Sequence, residues 1–187
     1  MKSINRLIES DLYRYTGEKK TFTNFCRTFI LVPGFRYTYF LRKASKFSKK
    51  DPRRWFYWVV LRRIGMKFGF QISDRTSIEE GFYIGHFGSI VITHNAIIGS
   101  NCNINVGVVI GQTSRGNKKG PPVIGNSVWI GSNSIVVGKI KVGSNVLVAP
   151  GAFVNFDVPD NSIVIGNPGK IIKKDDATKS YIKRILK

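Results

Sequence analysis

Aliphatic side chains recur at every sixth position through the middle of the chain: Ile72, Ile78 and Ile84, then Ile98, Ile104 and Ile110, then Ile124, Ile130, Val136, Val142, Val148 and Val154. The phase slips by two residues between Ile84 and Ile98 and again between Ile110 and Ile124. Glycine follows the aliphatic residue at Gly85, Gly99, Gly111, Gly125, Gly131 and Gly143. A small or β-branched residue stands four places after it at Thr76, Cys102, Val128, Ser134 and Ala152. A period of six suits neither an amphipathic helix nor an isolated strand. It predicts a parallel β-helix of about 4 to 5 coils, each with three short strands and one inward aliphatic per side. The glycines are expected to give the corners backbone freedom, and Cys102 is expected to pack rather than react.

The first 70 residues follow a helical spacing instead, with Ile4, Leu7, Ile8 and Leu12 on one stripe and Phe22, Phe25, Phe29 and Ile30 on another. "VPGFR" breaks the second run, and further helices are expected over "YTYFLRKASKF" and "RRWFYWVVLRRIGMKFG". The expected organisation is a basic, aromatic-rich helical cap over 1–70, a β-helix over 71–172 with a protruding loop at 112–122, and a short basic C-terminal helix within 173–187.

Charge sharpens this division. Of a formal net +19, residues 1–70 hold 17 Lys or Arg against 4 acids, whereas residues 71–172 hold 7 against 5. The helical cap packs on the β-helix or lies on an anionic membrane surface, since basic helices bearing Trp and Phe suit both. No apolar run is long enough to span a bilayer, and the N-terminal stretch lacks the pattern of a signal peptide. With only two cysteines, Cys26 and Cys102, the expectation is a reduced, cytoplasmic protein, with peripheral membrane contact at most. No metal-ligand cluster and no nucleic-acid recognition module is visible.

The hexapeptides, the interrupting loop "QTSRGNKKGPP" and the closing "GNPGK" together resemble the left-handed β-helix acyltransferases. Within them the chain is most similar to the serine acetyltransferase branch, which includes O-acetyltransferases of surface polysaccharides. That resemblance implies a left-handed coil, a homotrimer, and acetyl-CoA as co-substrate in a groove between adjacent prisms.

The first phase slip falls at "HFGSIVITHN", where a coil built only for stability would have continued. His86, in "IGH", matches the general base of the serine enzymes. A neutral imidazole there can take the proton of an attacking alcohol. His94 and Asp74, with Asn105, are candidates for the acceptor side, and Asp74 or Glu79 for orienting His86. Gly111, Gln112 and Thr113 are carried over as contacts to the pantetheine arm, with backbone amides for a developing oxyanion. Ser132 matches a further cofactor contact. Arg115, Lys118 and Lys119 on the loop, with Lys170, Lys173 and Lys174 beyond the last coil, are the cations available to coenzyme A phosphates.

Two positions depart from the serine enzymes. Their second active-site histidine aligns with Pro121, and their acidic partner aligns near Gln71. These changes favour a different acceptor alcohol, and the expected function is acetyl transfer from acetyl-CoA to a sugar hydroxyl in surface-polysaccharide synthesis. Serine O-acetylation is the alternative, and a noncatalytic scaffold the third reading. No activated nucleophile for an acyl-enzyme is apparent, so direct transfer in a ternary complex is expected.

Overall fold

A computed structural model describes residues 3–48 and 50–185. Four helices come first: α1 (Ile4–Thr16), α2 (Phe22–Leu31), α3 (Pro33–Lys46) and α4 (Pro52–Phe68). Each start is legible in the sequence. Ser3 and Thr21 cap α1 and α2 through their hydroxyls, Asp51 caps α4 through its carboxylate, and α3 and α4 carry proline in their first turn. "VPGFR" is therefore less a break than a joint, since Val32 closes α2 and caps α3.

Short strands follow in coils of three. The first coil comprises β1 (Phe70–Ile72), β2 (Ser77–Ile78) and β3 (Tyr83–Ile84); the second β4 (Ile90–Ile92), β5 (Ile97–Ile98) and β6 (Asn103–Ile104). The third comprises β7 (Val109–Gly111), β8 (Val123–Ile124) and β9 (Trp129–Ile130); the fourth β10 (Ile135–Val137), β11 (Lys141–Val142) and β12 (Val146–Val148). The fifth is formed by β13 (Phe153–Val154) and β14 (Ser162–Ile165), and β15 (Lys170–Lys173) turns back antiparallel on β14 to close the end. The result is a β-solenoid of about five turns with three parallel sheets, β1-β4-β7-β10-β13, β2-β5-β8-β11, and β3-β6-β9-β12-β14.

Register stacks the repeating aliphatics into columns. Ile72, Ile92, Ile110, Val136 and Val154 line the first sheet, Ile78, Ile98, Ile124 and Val142 the second, and Ile84, Ile104, Ile130, Val148 and Val164 the third. All are buried. Removing each from water is worth roughly 1.5–3 kcal/mol relative to exposure. Between these columns pack Thr76, Cys102, Val128, Ser134 and Ala152, also buried. Cys102 donates to the Gly125 carbonyl at 3.2 Å, and burial pushes its thiol up to about 12, so it is a packing residue.

The glycines that follow the aliphatics have a different purpose from the one expected. None of Gly85, Gly99, Gly111, Gly125, Gly131 or Gly143 has positive φ. A Cβ on Gly99, Gly125 or Gly131 would instead strike the backbone of the next coil, at 2.5 to 2.7 Å. These glycines allow close stacking. The left-handed corner conformations fall to Asn101, Ser127, Asn133, Asn145 and Asn161, with φ of 52 to 58°, and to other glycines such as Gly81, Gly107 and Gly151, with φ of 71 to 75°. Asn is the most tolerant residue there after glycine.

The helices share their core with the first coils. Tyr37, Leu41 and Leu61 are buried in the same cluster as the solenoid columns. The Tyr37 hydroxyl donates to the Ile72 carbonyl at 2.8 Å and accepts from the Ile72 amide at 3.1 Å, which fixes α3 against β1. Tyr37→Phe should cost about 1–3 kcal/mol in urea unfolding, because both Ile72 groups lose a buried partner. No change in midpoint would remove that bond from the account.

The C-terminal segment corrects an expectation. After β15, residues 174–182 form successive turns rather than a helix, while Leu186 and Lys187 lie outside the described residues. The segment is held at separated points, on two coils along the third sheet and on α1. Thr178 bonds Asn145, Tyr181 packs on Trp129 with ring centroids 4.7 Å apart, and Arg184 reaches the Tyr15 carbonyl. Anchors on different coils pull the segment along the prism, which a compact helix would not reach.

Candidate active site

The two irregularities of the coil lie at different corners. Between Ile84 and Ile92, neighbours in consecutive sheets, the chain takes eight positions instead of six, and His86 and Phe87 stand in this bulge. Gly88 makes the bulge possible. Its φ is +136°, and its amide donates to the Phe68 carbonyl at 2.9 Å, tying the loop to the end of α4. Phe87 rests edge-on against Phe68, with centroids 5.8 Å apart. The His86 side chain is exposed and makes no hydrogen bond among the described residues. Asn105 lies one coil further on, in register just beyond Ile104. Its amide donates to the Ile130 carbonyl at 2.8 Å, and its oxygen lies 3.1 Å from where a Gly85 Cβ would stand. Ser132 is at the same corner one coil further still, its carbonyl accepting from Gly151.

The second irregularity is at the opposite edge of the first sheet. After β7 the chain leaves the prism and returns through paired bonds between Thr113 and Gly120, 3.0 and 3.2 Å. Lys118 folds back to the Asn155 carbonyl at 2.6 Å, while Gln112, Arg115 and Lys119 are exposed. A hollow of about 500 Å³ lies between this loop and Val137 and Asn155. Lys170 and Lys173 are exposed on β15, at the end of the third sheet. Lys174 pairs with Asp176 at 3.4 Å, and Pro121 is half-buried at the foot of the loop.

A larger cavity, about 920 Å³, opens between α4 and the outer side of the first sheet. It brings together His94, Asp74, Gln71 and Gly111, and not His86. Asp74 is buried, and Arg54 from α4 donates to its carboxylate at 2.5 Å. Asp74 is thus held by Arg54 of α4, away from the corner where His86 stands. Glu79 is exposed beyond β2 and does not bond His86. The expected orienting role of either acid is therefore not seen.

Trp58, Arg62 and Arg75 also line the cavity. Sequence reasoning did not single them out, because the apolar surface of α4 runs around the whole helix and leaves no stripe to say which side meets the solenoid. In this chain the base candidate and the donor-loop candidates occupy two edges of one sheet. A neighbouring prism laid beside that sheet is the arrangement that would bring one copy's His86 to another copy's loop.

A family model described as bacterial transferase hexapeptide (six repeats) matches residues 121–155. The chain is 28% identical to serine acetyltransferase 2 of Arabidopsis thaliana, over 98% of this chain and 60% of that protein. Among solved structures, soybean serine acetyltransferase complexed with serine superposes with a TM-score of 0.77 at 26% identity, covering 91% of this chain and 70% of that one. The serine acetyltransferase of Brucella abortus strain S19 in complex with coenzyme A gives 0.74 at 24% identity, covering 91% and 68%, and shares the fold. The chain thus spans about 60% of the length of the Arabidopsis relative.

Proposed function

From a chain that belongs to the hexapeptide-repeat transferases of the serine acetyltransferase family, we propose an acetyltransferase that moves the acetyl group of acetyl-CoA directly to an alcohol. The observation that carries this reading is the exposed His86 in the one bulge of the His86 corner, with Asn105 beside it in the next coil. His86 takes the hydroxyl proton as the oxygen attacks the thioester carbonyl. The C–O bond forms, the tetrahedral centre collapses, the C–S bond breaks, and the thiolate leaves to be protonated. Thr113 has its amide engaged by Gly120, so the adjacent Gln112 amide is the candidate donor to the oxyanion.

The partner is a second and third copy of the chain. A homotrimer places His86 of one copy against Gly111, Gln112 and the loop of the next, with Ser132 along the groove. Arg115 and Lys119 meet the phosphates of coenzyme A. Arg115→Ala with Lys119→Ala should raise the KM for acetyl-CoA about tenfold and leave kcat within about twofold. A fall in kcat alone would remove the loop from donor binding.

For the acceptor, the relatives named above favour L-serine, the alternative of the sequence reading. None of their names speaks for a polysaccharide. A sugar hydroxyl remains as a second reading because of the cavity that holds His94 and Asp74. At about 920 Å³, with Trp58 on its wall, it is of the size that accepts drug-sized ligands, far beyond a single small amino acid. Gln71 and Pro121, where the serine enzymes have an acid and a histidine, point the same way. Release of coenzyme A thiol, followed in parallel with L-serine and with a panel of sugars and nucleotide sugars, separates the two. Release with no acceptor of either class would refute the proposed transfer.

A further inference from the structure

Helix α4 buries little of itself. Of its 17 residues only Leu61 and Gly65 are fully buried, while Tyr57, Ile64 and Phe68 pack against the core and Arg54 binds Asp74. The opposite side presents Trp55, Phe56 and Met66, which are 68, 61 and 71% exposed. Helical spacing puts Trp55, Phe56, Val59, Arg63 and Met66 together there, with Arg62 and Lys67 on the borders.

The charge around this face is one-sided. Helix α4 carries Arg53, Arg54, Arg62, Arg63 and Lys67. Arg54 turns inward to Asp74, while Arg62, Arg63 and Lys67 make no ion pair among the described residues. The one acid at the start of the helix is Asp51. That acid caps α4 and pairs with Arg53 at 2.8 Å. Exposed tryptophan and phenylalanine among unopposed cations are the chemistry of an interfacial helix, with rings entering the headgroup layer and cations meeting anionic headgroups. A second copy meeting this face with its own would set cations against cations with no acid between them. A nucleic acid would meet the cations but leave Phe56 and Met66 unaccommodated.

We propose that the outer side of α4 docks on an anionic lipid surface, with Trp55 and Phe56 as the inserted side chains. The same helix lends Trp58, Leu61, Arg62 and Gly65 to the wall of the large cavity, and Met66, on the border of the outer side, stands at the cavity's edge as well. Docking therefore holds that cavity beside the headgroups. The inference is independent of which alcohol is acetylated.

The test is co-sedimentation of the full chain with phosphatidylcholine vesicles, with and without phosphatidylserine. The expected result is binding that needs phosphatidylserine, and a loss of about tenfold or more in Trp55→Ser with Phe56→Ser. Circular dichroism should show the double variant folded, and its gel-filtration mass should match the wild type. Unchanged vesicle binding in the double variant would overturn the proposal, as would no wild-type binding to anionic vesicles. A drop in the variant's mass would make the face an interface between copies. Duplex DNA that binds the wild type while anionic vesicles fail to compete would make it a nucleic-acid surface.

Discussion

Replacing His86 by alanine should lower turnover by about 100-fold or more while acetyl-CoA affinity stays within about twofold. The expectation rests on two features of the corner. The bulge is closed by Gly88 at a φ forbidden to most residues, and its backbone is tied to Phe68, so the loop holds its shape without help from the imidazole. The His86 ring is exposed and makes no hydrogen bond among the described residues, so its removal leaves no cavity and no orphaned partner among them. Stability should therefore be unchanged, and the loss should appear in kcat. Steady-state kinetics with equilibrium binding of acetyl-CoA check this. Near-normal kcat would remove the base assignment, and a parallel loss of thermal stability would make His86 a structural residue.

The second large effect concerns the joint between the helices and the solenoid. Arg42 on α3 and Asp11 on α1 form a buried pair at 2.9 Å, both side chains 5% exposed or less. Each also serves the first coil: Arg42 donates to the Ile78 and Glu79 carbonyls, and Asp11 accepts from the Phe82 amide at 2.8 Å. Arg42→Ala strands a buried carboxylate and two carbonyls together. The expected cost is about 3–5 kcal/mol in urea unfolding, the size found when one partner of a buried pair is removed. A loss under about 1 kcal/mol, typical of a surface pair, would mean that the helices are held to the solenoid by apolar packing alone.

Much of this was legible in the sequence for a simple reason. A coil repeated every six residues writes its inward column directly into the chain, and all twelve of the recurring Ile and Val positions are buried. The helices were legible from their apolar spacing, but "VPGFR" breaks the run in the sequence and sets the expected start of α3 only at Tyr37, whereas Pro33 opens that helix. What escaped depends on contacts between coils or between units. The purpose of Gly99 and Gly125 lies in the backbone of the next coil. Ile92 opens the second series, eight residues after Ile84 and six before Ile98, because the chain bulges at His86. Val164 falls out of phase with Val154 because the step to Val158 is shortened to four. The segment after β15 has no stripe of its own, and its course is set by Asn145 and Trp129 on the third sheet. The candidate site divided similarly. His86 was marked by broken regularity, whereas the cavity with Trp58, Arg62 and Arg75 arises from where α4 lies.

The central claim is that the site is completed between copies, because His86 and the donor loop stand at two edges of the same sheet. It is tested most directly by mixing two inactive proteins, His86→Ala and a variant in which residues 112–120 are replaced by a short turn, so that the candidate oxyanion donor Gln112 is lost together with the loop. Each mixed trimer would contain one site with an intact His86 facing an intact loop. Subunit exchange at equal amounts should therefore restore about a quarter of wild-type acetyl transfer, the statistical share for a closed three-fold ring. Exchange verified by mass, with activity no higher than in either parent, would contradict a site built between copies.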